Sequence, residues 1–229
     1  MMTARPALRN AIFVTLLTIF GVLAGLVSYY GLGHSDAVED APFLGRLANR
    51  LIYQGRSGED LGPGREAMLL AVEDPAFAAN LGPDVDTPGG SVTSISRALA
   101  SRMAFDGYTG GVGRIRLAGY ARGLEEKLSK RQILALWLET VEMGSVPEGW
   151  LKGFFLTSHL MYHRSPAKLS DAEFLRLVAV ASDPDSFHLD RPDPALDERV
   201  TRITRLLAGT CVRERKGDVK LASCAEEQP

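Results

Sequence analysis

The chain has 229 residues, with 26 Lys and Arg against 28 Asp and Glu and 45% hydrophobic residues. This balance excludes a disordered polyelectrolyte and fits one ordinary folded domain with apolar content to spare for one membrane segment. The two cysteines have no histidine near them, which is too few ligands for structural zinc.

Residues 1–10 form a short N-terminus. Residues 11–33 then hold no charged side chain and are long enough to cross a bilayer as a helix. Arg5 and Arg9 precede this run, and Asp36, Glu39 and Asp40 follow it. The positive-inside rule therefore puts the N-terminus in the cytoplasm and the rest of the chain outside, with Tyr29 and Tyr30 at the outer interface. A cleaved signal peptide is the rival reading. The long apolar core and the lack of a small-x-small site after it favour an uncleaved anchor.

Residues 34–64 read as a Gly- and charge-rich juxtamembrane linker whose one helical piece is APFLGRLANRLIYQ. From residue 65 to 209 the pattern is helical. Apolar residues recur at helical spacing over 65–72 and 91–105, separated by NLGPDVDTPGG, which no regular element tolerates. Ser129 with Gln132 and Ser170 with Glu173 match the capping box, and Asp193 before Pro194 marks another helix start. Helices are predicted over 131–143, 149–162, 171–182 and 194–208. No alternating run demands a sheet, so the expected fold class is an all-α ectodomain behind one N-terminal transmembrane helix. GGVGR, residues 110–114, lacks the strand and the lysine of a phosphate-binding loop and reads as a connector. WLKGFFL, residues 150–156, reads either as core or as an apolar patch resting on lipid. Residues 210–229 form a polar tail in which Cys211 and Cys224 can pair outside the cytoplasm. The closed loop of about 14 residues would contribute roughly 3 kcal/mol.

Two groupings carry chemistry. VEDPAFAANLG puts Glu73 and Asp74 where a helix ends and a glycine-rich loop begins. Such a pair is often only a cap, but a partly desolvated Glu73 would suit a general base. From residue 97 to 131 the chain holds Arg97, Arg102, Arg114, Arg116, Arg122, Lys127, Lys130 and Arg131 against Asp106, Glu125 and Glu126. The bland reading is a solvated basic face. The functional one is a set of cations converging on phosphate groups, since nucleic acid is not a sensible partner outside the membrane.

VEDPAFAANLGPD resembles the first motif of the family 51 glycosyltransferases, the peptidoglycan transglycosylases, in which E-D-x-x-F is followed by His-x-Gly. Glu73, Asp74, Phe77 and Gly82 match, and Asn80 replaces the histidine. GGSVTSISRALASRM resembles G-G-S-T-I-T-Q-Q-L if two residues are inserted after the glycines. Thr93, Ser94, Ile95, Ser96, Leu99 and Ala100 then match, with Arg97 and Ala98 replacing the glutamines. LEEKLSKRQILALWLE is similar to L-E-x-x-Y-S-K-x-E-I-L-x-x-Y-L-N, and SPAKLSDAEFLRLVAVA continues in the family's style, followed by Arg199 in the last helix. Counting back to R-K-x-x-E puts Arg114 on the lysine and Leu117 on the second glutamate, so that acid is missing.

The resemblance spans residues 67–207. It implies a lysozyme-like helical domain in the bacterial plasma (inner) membrane, polymerising lipid-linked disaccharide peptide (lipid II) into glycan strands by inverting transfer. Glu73 would be the general base, with Asp74, Phe77, Ser94, Ser96, Arg97, Arg114 and Arg116 binding substrate. The implied partners are the lipid-linked precursor, the growing glycan strand, membrane lipid and other cell-wall synthesis proteins. No cofactor follows from the residues; the diphosphate leaves a divalent cation open. Leu117, Asn80, Arg97 and Ala98 favour the alternative, a catalytically impaired homologue that binds precursor or partner proteins. A lysozyme-like cleaving enzyme is a third reading, disfavoured because a sugar leaving group normally calls for two flanking carboxylates.

Overall fold

The computed structural model describes residues 4–77, 95–107, 110–147, 149–214, 218 and 220–225, with side chains from residue 9 onward. It is all-α apart from one small hairpin. The helices are α1 (Ala4–Tyr53), α2 (Arg65–Glu73), α3 (Ile95–Ala104), α4 (Gly113–Lys127), α5 (Lys130–Thr140), α6 (Phe154–Tyr162), α7 (Asp171–Ser182) and α8 (Pro194–Leu207). The hairpin joins β1 (Glu142–Val146) to β2 (Gly149–Lys152) as an antiparallel pair. Sequence periodicity had residues 142–143 at the end of one helix and 149–152 at the start of the next. Gly144 and Gly149, at φ 83° and 136°, adopt backbone that side-chain-bearing residues avoid, and there the helical pattern breaks.

The first half of α1 is the expected apolar run, exposed along its length and suited to crossing a bilayer. In the second half the expected helical piece over 41–54 is present, but residues 34–40 are helical as well, so that a single helix runs without a break from the apolar run into the domain. Its buried residues, Ala37, Ala41, Leu44, Ala48 and Leu51, recur at alternating steps of four and three and form one stripe against α4 and α5. Pro42 sits inside the helix and removes one intrahelical donor, so packing of this stripe, not propensity, carries the helix through.

The contact between α1 and α4 is backbone-close. A Cβ on Gly119 would overlap the carbonyl oxygen of Tyr30, and one on Gly33 would overlap that of Arg116. A Cβ on Gly123 would lie 2.6 Å from Ala37 Cβ. Polar pairs frame the seam: Arg116 Nη2 meets Asp36 at 2.6 Å, and the Tyr120 hydroxyl donates to Asp40 at 2.7 Å. The charges that flank the apolar run in sequence thus dock α4 just where that run ends.

The core lies between α5, buried along most of its length, and α3, α4 and α7. Both capping boxes form as the sequence predicts, at Ser129 with Gln132 and Ser170 with Glu173. The arginine that opens α2, Arg65, is buried. It donates to the carbonyls of Pro166 and Leu169 and lies 5.1 Å from the Phe174 ring centroid, which ties the start of α2 to α7.

Asp193 caps α8, its Oδ1 accepting from Ala195 N at 3.0 Å and Leu196 N at 3.1 Å while Oδ2 accepts from His188 N at 2.9 Å. Desolvation pushes its carboxyl up, but these three donors outweigh it and hold it below the usual carboxylate range. Asp193→Ala is expected to cost about 1–2 kcal/mol in thermal unfolding near neutral pH. A depressed carboxyl stabilises above its unfolded pKa and loses that contribution as pH falls through the folded one. The gap between wild type and variant should therefore close below about pH 4.

The C-terminal segment is not the loose polar tail that its composition suggests. Cys211 and Cys224 form a disulfide with Cα atoms 5.4 Å apart, and Leu221 and Cys224 are fully buried in the core. Arg202 and Arg205 of α8 donate to the carbonyls of Lys220 and Ala225, so the segment is bound along α8. Two apolar residues and a cross-link suffice to dock it.

Candidate functional site

Glu73 is the last residue of α2, a helix fixed at its start by Arg65 and at its end by a residue from the C-terminal segment. Arg213 Nη2 donates to the carbonyls of Ala71 at 2.9 Å and Val72 at 2.6 Å, satisfying acceptors that a helix terminus leaves open. The Glu73 side chain is half-buried, and its Oε1 accepts from the Ser182 hydroxyl of α7 at 2.7 Å. Desolvation raises its pKa above the ordinary carboxylate range. The Ser182 bond and the charges of Arg199, Arg213 and Arg102 pull the other way without cancelling the rise.

Three guanidinium groups from three separate elements therefore act on one carboxyl. Arg102 of α3 donates from Nε to Thr140 at 3.3 Å and lies 5.7 Å from the Trp137 ring centroid, and Glu142 of β1 also acts on it. Arg199 of α8 is 5% exposed. Burial lowers both guanidiniums to about 10, so both remain cationic at neutral pH. Among the described residues, Arg102 Nη2 and Arg199 Nη1 are buried with no hydrogen-bond partner. Such donors are costly to leave without an acceptor. Arg199 also lines a cavity of about 300 Å³ with Asp183, Phe187, Glu198, Arg202 and Lys220.

The other sequence-derived residues fall into two groups. Asp74, Phe77 and Ser96 lie together. Asp74 is 3% exposed and its Oδ2 accepts from Ile95 N at 3.1 Å, joining the end of α2 to the start of α3. Burial raises the Asp74 carboxyl, opposed by that bond and by Lys130. Phe77 is buried beneath the Lys130 ammonium, 4.5 Å from its ring centroid. Ser96 is buried and bonds to Glu125, which in turn meets Lys130 at 2.5 Å. Asp74 and Ser96 thus sit in a closed polar network beside Glu73, and their structural role is bracing the helix ends.

Arg114 and Arg116 lie elsewhere, in the first turn of α4, with Arg116 against α1. Arg114 is exposed and Arg116 is committed to Asp36. Arg97 is half-buried on α3. Ser94, with Asn80, Gly82, Asp84 and Asp86, lies outside the described residues. Leu117 is fully buried in the core, so no acid stands at the place matched to the family's second glutamate. Of the apolar run at 150–156, Phe154 is core while Trp150 and Leu156 are exposed, and Leu156 shares a cavity with Arg56, just beyond the end of α1. That end lies about 30 Å along the helix axis from residue 33, far from any bilayer that residues 11–33 would cross.

Sequence reasoning missed Ser182, Arg213 and the convergence of Arg102 and Arg199 on Glu73. Arg199 was visible as a matching position in the last helix and Arg102 as part of a basic stretch. Nothing local signalled Arg213, which approaches Glu73 across some 140 residues of chain only because the disulfide segment folds back.

The family model described as Transglycosylase matches residues 89–208, more than half of the chain. The biosynthetic peptidoglycan transglycosylase of Pectobacterium atrosepticum is 24% identical over 219 residues, covering 86% of this chain and 87% of that one. The family match begins after Glu73, Asp74 and Phe77 and ends before Cys211.

Proposed function

The chain belongs to the transglycosylase family, and from that premise we propose that it polymerises lipid-linked disaccharide peptide into glycan strands by inverting transfer, with Glu73 as general base. The observation that carries this reading is the setting of Glu73: desolvated enough to raise its proton affinity, still partly open to solvent, held by the Ser182 hydroxyl and under the charge of three arginines. In the proposed step, the acceptor's 4-hydroxyl gives its proton to Glu73 as its oxygen bonds the donor's anomeric carbon. The bond from that carbon to the lipid diphosphate breaks, and the diphosphate leaves with the electron pair. A diphosphate is a weak base that needs charge neutralisation more than a proton, and Arg102 and Arg199 offer buried N–H donors without a partner among the described residues. This moves the anion-holding role from Arg116, which is engaged with Asp36, to arginines beside the base. Arg97, Arg114 and Ser94 remain proposed contacts to the remainder of the substrates, as the family resemblance implies, whereas buried Phe77 shapes the site from beneath Lys130. The chain would sit in the bacterial plasma membrane by α1, with its N-terminus in the cytoplasm and the helical domain outside.

Leu117 supports a second reading, a homologue that binds precursor without joining it, because a buried leucine can neither take nor give a proton. Incubating the detergent-solubilised full chain with labelled lipid-linked disaccharide pentapeptide separates the two. Glycan chains that disappear with Glu73→Gln establish the enzyme. Retention of the labelled lipid without chains establishes the binder.

A further inference from the structure

We propose that Arg213 is a positioning residue for Glu73, delivered to the site by the Cys211–Cys224 cross-link, so that the oxidised C-terminal segment completes the active centre. This rests on the reading of Glu73 as the base. The clamp itself, Arg213 of the cross-linked segment on the end of α2, is separate from that reading, and both its sides lie outside the span matched to the family.

Three observations carry it. First, Arg213 Nη2 bonds the carbonyls of Ala71 and Val72, the two residues immediately before Glu73. The carbonyl end of a helix carries partial negative charge that opposes a carboxylate placed there, and a guanidinium on those carbonyls offsets it while fixing the last turn. Second, Arg213 lies two residues from Cys211, and the loop is closed at Cys224, which is fully buried. Leu221 in the core, the Ser223 hydroxyl on the Val212 carbonyl at 2.5 Å and the Arg213 bond to the Asp218 carbonyl at 3.5 Å hold the loop in shape. Third, among the described residues Arg213 is one of three cations whose charge acts on Glu73. The others, Arg102 on α3 and Arg199 on α8, are rooted in regular helices, whereas Arg213 stands in irregular chain. The Ser182 hydroxyl of α7 also bonds the carboxyl, and Asp218, Glu142 and Arg202 act on the arginines. The cross-link therefore secures the cation of these three that no helix secures.

The test follows the Glu73 carboxyl in the detergent-solubilised full chain labelled with carboxyl-13C glutamate, its infrared signal being the one absent from Glu73→Gln. Arg213→Ala removes a cation and a clamp, so the protonated form gains and the titration midpoint should move up by about half a pH unit or more. Cys211→Ser with Cys224→Ser should do the same, and Arg213→Lys should restore most of the shift. Dithiothreitol should move the wild type likewise, passing two electrons and two protons to the disulfide as it closes its own ring, and leave the double serine variant unmoved. In polymerisation the acid limb should follow the titration while KM stays put, giving about a twofold loss at the wild-type midpoint, about threefold well below it, and recovery at higher pH. A merely structural role would lower the rate equally at all pH values. An unmoved midpoint in Arg213→Ala, or a double serine variant that titrates as wild type, overturns the proposal. Undiminished polymerisation by Glu73→Gln overturns the base assignment instead, while the titration still decides the clamp.

Discussion

Glu73→Gln is expected to lower glycan polymerisation by about 10²- to 10⁴-fold, the range that one general base contributes. Glutamine keeps the shape of glutamate and can still accept from Ser182, so far-UV circular dichroism should be unchanged while the proton acceptor is gone. The wild type adds a signed check. As the proposed base, Glu73 would work only when ionised, and burial raises its pKa, so activity should be full at neutral pH and fall as pH drops through a midpoint above that of an exposed carboxylate. Rates measured from pH 4.5 to 8 would show it. An acid limb at the ordinary glutamate position would mean that Glu73 is not desolvated in the working enzyme, and a wild-type rate in Glu73→Gln would remove it from the mechanism.

Gly119→Ala should be among the most damaging substitutions outside the site, though it adds one methyl group. That methyl would fall on the Tyr30 carbonyl oxygen, which is backbone inside a long helix and has no rotamer to retreat into. Overpacking typically costs about 1–3 kcal/mol and more where backbone must move, so thermal unfolding in detergent should drop by several degrees. Gly113→Ala is the matched control. It lies at the first turn of the same helix with nothing within 4 Å of an added Cβ, so it should be neutral or slightly stabilising. Equal unfolding temperatures for the two variants would contradict the close packing of α1 on α4.

How much of this was legible in the sequence depended on range. Both capping boxes and the start of α8 follow from three- and four-residue rules, and the folded chain obeys them at Ser129, Ser170 and Asp193. The apolar run before residue 34 is equally local. A helical piece over 41–54 was legible too, but its continuity with the apolar run was hidden because Gly33, Asp36 and Asp40 suggest a linker, and only α4 supplies the surface that makes glycine and charge useful there. At the site, Glu73 and its half-burial were within reach of pattern, since a carboxylate pair ending an apolar helix suggests them. Its cations were not, because Arg102, Arg199 and Arg213 meet through tertiary folding. Composition drew attention to Arg116 instead, whose charge is spent on a helix seam.

One uninterrupted helix carries both the apolar run suited to crossing a bilayer and the stripe packed on the domain, with no swivel between them. Its 20 residues past position 33 span about 30 Å, so with that run in a bilayer a lean of about 10° would displace the distal tip by about 5 Å. Lipid thickness, which sets such leaning, would thereby govern how far the proposed site stands from the headgroups.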